Sequence, residues 1–130
     1  MSVLGIGVDA VKIERFQRVI DQRGMNFLKR IFTEKELAHA NGKTTPAPAH
    51  MAGKFAAKEA VKKALPEGAR IGLNWPEIEI LNDSDGKPYV VLHGEAERLK
   101  KKYGLSRVFI SISHTKDLAI SSAVGVKDGA

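Results

Sequence analysis

Alternation of apolar with small or polar positions opens the chain. In Val3-Leu4-Gly5-Ile6-Gly7-Val8-Asp9, Leu4, Ile6 and Val8 fall on one face of a strand, and Gly5, Gly7 and Asp9 on the other. The second face carries no side chain until it reaches the Asp9 carboxylate. Either another backbone crosses closely there, or a ligand has room beside Asp9. The period then changes. Ile13, Phe16 and Ile20 recur at i, i+3 and i+7, which predicts a helix from Val11 to Arg23 ended by Gly24. Arg15, Arg18 and Arg23 lie off that stripe on what reads as a solvated face, and Lys29 and Arg30 follow.

Thr33-Glu34-Lys35-Glu36 is a capping box, with Phe32 and Leu37 at the staple positions, so a helix starts there and stops near Asn41-Gly42. Thr44 to Pro48 reads as a loop. The strongest helical pattern runs from His50 to Leu65 and is closed by Pro66. Wound at 100° per residue, it gathers Gly53, Ala56, Ala57, Ala60 and Ala64 on one side, where a neighbour can approach closely. Lys54, Lys58 and Lys62 form a separate stripe, and Glu59 and Lys63 share a third flank. Glu77 to Leu81 and Pro88 to Leu92 are strands joined by the turn Asn82-Asp83-Ser84-Asp85-Gly86. Gly94 to Tyr103 is a short basic helix. Arg107 to Ser113 and Leu118 to Val126 are strands around His114-Thr115-Lys116-Asp117. Helices and strands mix without regular βαβ units, so the expected fold class is α+β, a single domain with a largely antiparallel sheet packed with helices.

Composition narrows the function. With 130 residues there is room for one core and not for separate catalytic and substrate domains. The absence of cysteine excludes disulfides, thiolate-bound zinc and a cysteine nucleophile. Met1 to Gly7 lacks the basic start and apolar stretch of a signal peptide, and no segment reaches the roughly 18 apolar residues of a membrane span, so a soluble cytoplasmic protein is expected. A net charge of +6 asks for a negatively charged partner. Aromatic residues are only 6% and are not interleaved with basic runs, which argues against a base-stacking surface for nucleic acid.

Four residues carry candidate chemistry. Glu59 and Lys63 have the i, i+4 spacing of an ordinary surface ion pair, yet the flank they share adjoins the alanine face and could border a groove. Asp9, at a strand end, fits a cap for the next helix; it also fits, with Glu59, the one or two carboxylates by which a hard cation such as Mg²⁺ is held alongside phosphate oxygens. His114 ends a strand and opens into a loop, a common place for functional groups. Gly5-Ile6-Gly7 lacks the third glycine of a dinucleotide fingerprint.

Taken in order, Gly5-Ile6-Gly7-Val8-Asp9, Phe32-Thr33-Glu34-Lys35-Glu36-Leu37, Gly53-Lys54-Phe55-Ala56-Ala57-Lys58-Glu59-Ala60-Val61-Lys62-Lys63, Gly86-Lys87-Pro88 and Ser111-Ile112-Ser113-His114-Thr115 resemble the pattern of the holo-[acyl-carrier-protein] synthases, the short class of 4'-phosphopantetheinyl transferases. The resemblance spans nearly the whole chain, residues 1–130 as one domain. It implies a transferase of fatty acid biosynthesis that moves phosphopantetheine from coenzyme A to a serine of an acidic acyl carrier protein. It implies that Asp9 and Glu59 bind Mg²⁺ with the coenzyme A pyrophosphate, and that Lys63 meets the same phosphates. Lys54, Gly86, Lys87, Pro88, His114 and Thr115 would line the coenzyme A site, while Arg15 and Arg30 would meet the carrier protein. Glu59, Asp9 through a metal-bound water, and His114 are the candidate bases. The family's homotrimer would set each site between subunits.

Two departures stand out: Ala64-Leu65-Pro66-Glu67-Gly68 replaces a tighter glycine-bearing turn, and Lys54 stands where relatives often carry arginine, a point charge in place of a planar fork. The rival readings are a non-catalytic nucleic-acid module and a module that holds a carrier protein without modifying it.

Overall fold

The computed structural model describes residues 1–41 and 48–129. Strand β1 (Ser2–Lys12) leads into helices α1 (Ile13–Arg23), α2 (Met25–Ile31), α3 (Glu34–Asn41) and α4 (Pro48–Ala64). A 3-10 turn (Trp75–Glu77), strands β2 (Ile78–Asn82) and β3 (Pro88–Leu92), helix α5 (Gly94–Tyr103) and strands β4 (Arg107–His114) and β5 (Leu118–Lys127) complete it. All described strand pairs are antiparallel, in a sheet ordered β1-β5-β4 and a separate hairpin β2-β3. This is the expected α+β class, and no described helix is long and apolar enough to cross a membrane.

Helix α4 is the axis of the molecule, packed across β1, β5 and β4. Its small face makes that possible. Ala56, Ala57 and Ala60 are fully buried, and Ile112 presses so near that a Cβ on Gly53 would stand 2.8 Å from its Cγ2. The glycines of β1 answer the same need from the other side. A Cβ on Gly5 would lie 2.1 Å from the Ala64 carbonyl oxygen, and one on Gly7 2.0 Å from that of Ala60. Of the two readings of the glycine face, close backbone crossing holds along Gly5 and Gly7. Leu4, beside a register shift in β1, packs on the main core, whereas Ile6 and Val8 stay open to solvent.

Several local expectations shift. β1 runs on through Val11 and Lys12, so α1 starts at Ile13 with Lys12 as its cap, and Asp9 caps nothing. Gly24 ends α1 at φ 70 and at once begins α2, whose seven residues make barely two turns. The capping box forms as expected: Thr33 N donates to Glu36 Oε1 at 2.8 Å and Glu36 N to Thr33 Oγ1 at 3.2 Å. Asn41 is the last described residue of α3; Gly42 and residues 44–47 of the expected loop lie outside the described residues, and Pro48, expected in that loop, is the first described residue of α4. After α4 it is Glu67, not a glycine, that takes the left-handed conformation (φ 63). Its carboxylate is gripped by the Tyr103 hydroxyl, by Lys102 at 2.9 Å and by Arg70 at 2.5 Å.

Two lysines of the stripe Lys54, Lys58 and Lys62 are buried, Lys54 and Lys58. Lys58 donates to Glu36 Oε1 at 2.8 Å, to the Ile78 carbonyl at 2.7 Å and to the Trp75 carbonyl at 3.2 Å. Burial pushes its ammonium below the ordinary lysine value, against the pull of the Glu36 carboxylate. Glu36 Oε2 accepts from Ile80 N at 3.0 Å, so a capping residue also anchors β2.

Candidate functional site

Asp9 sits on the inward face of β1, one step beyond the glycines, where α4 no longer fills the space. A groove of about 520 Å³ opens there, lined by Asp9, Arg15, Phe16, Phe27, Phe55 and Glu59 among others. The two carboxylates, separated by 50 positions in sequence, thus face one space. The expected Glu59–Lys63 pair is not among the described ion pairs. Instead Lys63 reaches across to β1, donating to the Val8 carbonyl at 3.0 Å and to Asp9 Oδ1 at 3.3 Å. Gly7 explains the reach: its missing side chain lets the Lys63 stem pass, since a Cβ there would stand 3.0 Å from the Lys63 Cβ.

Glu59 has a different partner, the indole N–H of Trp75, which donates to Glu59 Oε1. This contact escaped the sequence reading. A single tryptophan beside a proline, 16 positions away, carries no periodic signal.

The chemistry of the donor set fits a hard divalent cation. Asp9 and Glu59 offer oxygen ligands only, on separate rigid elements, at a half-open groove with room for phosphate oxygens and water. Among the described residues no group of three or more histidine, cysteine or carboxylate side chains is placed to hold a metal ion. Lys63, 49% exposed on its side chain, brings a positive charge to the same edge.

The other expected residues gather elsewhere. Lys54, Gly86, Pro88 and His114 line a second cavity of about 360 Å³, on the hairpin side of α4, with Ile80, Asn82 and Ile112. Gly86 takes φ 82 in the β2–β3 turn, where Asp83 Oδ1 accepts from the amides of Asp85 and Lys87 at 2.9 Å each. Lys87 itself lines a neighbouring groove along β3 and β4. Thr115 shapes the β4–β5 turn, its hydroxyl accepting from Leu118 N at 3.1 Å. Among the described residues none lines both the Asp9 groove and the His114 cavity, so the two halves of the expected site form separate hollows within one chain. Arg15 borders the Asp9 groove and an adjoining basic pocket with Lys12, Arg18 and Lys116. Arg30 faces a further pocket with Arg23 and Phe27.

Comparisons with known proteins find relatives that match over nearly the whole chain. A family model described as the 4'-phosphopantetheinyl transferase superfamily matches residues 5–122. A holo-[acyl-carrier-protein] synthase of Geotalea daltonii is 43% identical over 122 residues, 94% of this chain and 97% of that one. The crystal structure of the holo-[acyl-carrier-protein] synthase of Neisseria meningitidis superimposes with a TM-score of 0.87 at 32% identity, over 97% of this chain and 100% of the other. The Helicobacter pylori synthase in complex with coenzyme A gives 0.79 at 30% identity, over 93% and 99%.

Proposed function

Since the chain belongs to the 4'-phosphopantetheinyl transferase superfamily, we propose that it transfers the 4'-phosphopantetheine group of coenzyme A to a serine of an apo acyl carrier protein, releasing adenosine 3',5'-bisphosphate. The observation that carries this reading is the single groove onto which Asp9 and Glu59 converge.

The chemical difficulty is to bring an alcohol to an anionic phosphate and to disperse the charge of the leaving group. Mg²⁺ held by Asp9 and Glu59 would supply the neutralising charge on the pyrophosphate. Lys63, anchored on the Val8 carbonyl, keeps its ammonium at the groove edge, where it meets a phosphate oxygen and offsets charge on the departing bisphosphate. The serine oxygen attacks the β-phosphorus, the bond from that phosphorus to the bridging oxygen breaks, and the bisphosphate takes the electron pair. Glu59 heads the candidates for the serine proton, because it lines the groove, ahead of Asp9 through a metal-bound water and of His114. Lys54, Gly86, Lys87, Pro88, His114 and Thr115 are proposed to receive the rest of coenzyme A. The basic surface of Arg15, Arg18, Lys12 and Lys116, with Arg30 beyond it, receives the acidic carrier protein.

A homotrimer reconciles two half-sites that share no lining within one chain, if the His114 cavity of one copy meets the Asp9 groove of the next. The outer sheet face supports association: Ile6 is 71% and Val8 61% exposed, Ile6 continues across the sheet through Val124 of β5 to Phe109 of β4, and Ile120 of β5 is exposed as well. A monomer rarely leaves such a patch open. A cytoplasmic enzyme serving fatty acid biosynthesis completes the proposal.

Incubation with coenzyme A, Mg²⁺ and an apo carrier protein tests it by mass spectrometry. A phosphopantetheine adduct on one serine is the expected result. No adduct from folded protein overturns the enzyme, and a stable complex without an adduct identifies a holding module instead.

A further inference from the structure

Glu59 is not left to settle its own orientation. Its carboxylate sits on a helix flank with several free torsions, and one oxygen is claimed by the Trp75 indole N–H. Trp75 is in turn fixed from three sides. Its carbonyl accepts from the fully buried Lys58 ammonium at 3.2 Å, its ring packs 5.7 Å from that of Phe55 at an interplanar angle of 53°, and Lys62 stands 6.0 Å over its face. Lys58 is itself locked by Glu36. A line of contacts, Glu36–Lys58–Trp75–Glu59, joined at Trp75 through its own covalent frame from backbone carbonyl to indole, therefore runs from the sealed interior to the groove.

We propose that Trp75 is a positioning residue for phosphopantetheine transfer, holding one oxygen of Glu59 through its indole N–H so that the other is presented to the groove in a single orientation. The inference rests on the reading of Glu59 as a cation ligand. Groups that orient a ligating carboxylate tune both the affinity of the site and the geometry of its ligand, and their loss typically costs about 10–100-fold in metal affinity or activity. Trp75 acts through Glu59 and touches no reacting atom. Removing its N–H therefore raises the Mg²⁺ requirement and leaves the turnover at saturating Mg²⁺ within a few fold.

The sequence supplies the probe, for Trp75 is the only tryptophan. Emission of the full-length protein, titrated with Mg²⁺ at saturating coenzyme A, changes saturably in the wild type and is flat in Glu59→Gln. Trp75→Phe keeps a ring against Phe55 but has no donor. Its Mg²⁺ concentration for half-maximal transfer rises by about 10–100-fold, and Mn²⁺ binding followed by electron paramagnetic resonance weakens in parallel. Benzothienylalanine at position 75, a near-isostere with sulfur in place of N–H, gives the same shift and decides the matter if Trp75→Phe does not fold. An unchanged Mg²⁺ requirement and unchanged Mn²⁺ affinity in the folded variants overturn the positioning role alone, provided Glu59→Gln is inactive. If Glu59→Gln transfers normally at limiting Mg²⁺, the ligand reading falls and the positioning role with it.

Discussion

Two acidic–basic clusters flank the same helix, and they have opposite fates. On one side of α4, Glu36 and Lys58 meet at 2.8 Å with neither side chain exposed, and both also bond backbone groups, Glu36 accepting from Thr33 N and Ile80 N and Lys58 donating to the Ile78 carbonyl. Glu79 lies close by. Burial alone would raise its carboxyl, but hydrogen bonds from Thr33 and His93 outweigh that and hold it below its usual range. On the other side, Asp9 and Lys63 meet at a looser 3.3 Å, with side chains 22% and 49% exposed, and Glu59 shares the same groove. The sealed cluster fixes where α3, α4 and β2 sit. The open one keeps its charges available to a ligand. Saturated charge builds structure here, and unsaturated charge is left for chemistry.

Substitution should separate the two clusters cleanly. Lys58→Met removes one partner of a buried pair and strands the Glu36 carboxylate, so unfolding in urea should show a loss of about 3–5 kcal/mol, with transfer per folded molecule close to normal at low temperature and saturating Mg²⁺. Glu59→Gln does the reverse: the melting temperature holds while transfer falls about 100-fold, equivalent to about 3 kcal/mol of charge stabilisation. Gly7→Ala strikes the boundary between the clusters, since the new methyl meets the Ala60 carbonyl and the Lys63 stem. It should cost about 1–3 kcal/mol in denaturant unfolding and also displace Lys63 from Asp9, lowering transfer further than the lost stability explains.

The smallest effect concerns Glu67, whose carboxyl is held at about 2, against an ordinary 4.5, first by the Tyr103 hydroxyl and then by Lys102. A depressed carboxyl stabilises the fold above its ordinary value and loses that contribution as pH falls toward the depressed one. Thermal melts of Glu67→Gln should therefore lie slightly below the wild type at neutral pH, with the gap closing between pH 4.5 and about 2.

The sequence was most readable where a pattern was local. The capping box at Thr33, the alanine face of α4, the helix Gly94–Tyr103 and the hairpin turn at Gly86 depend on residues a few positions apart, and each forms as spacing predicts. It was least readable where a side chain changes partner across the fold. Lys58 has the spacing of a surface lysine, and only β2 and α3 closing over it turn it into a core residue. Lys63 has the spacing to pair with Glu59 but crosses to β1, because Gly7 opens the way. Helical spacing placed Glu59 beside a possible groove; bringing Asp9 to that groove needed the strand to cross α4. Trp75 left no trace at all, since its one informative bond spans the turn after α4.

The account turns on Asp9 and Glu59 working as one unit, and a double-mutant cycle tests that most directly. Transfer rates at saturating coenzyme A and Mg²⁺ would be measured for Asp9→Asn, Glu59→Gln and the pair together. Groups that jointly hold one cation fail together, so the double variant should be about as slow as the slower single one. Losses that multiply, each substitution acting as though the other were intact, would contradict a shared site.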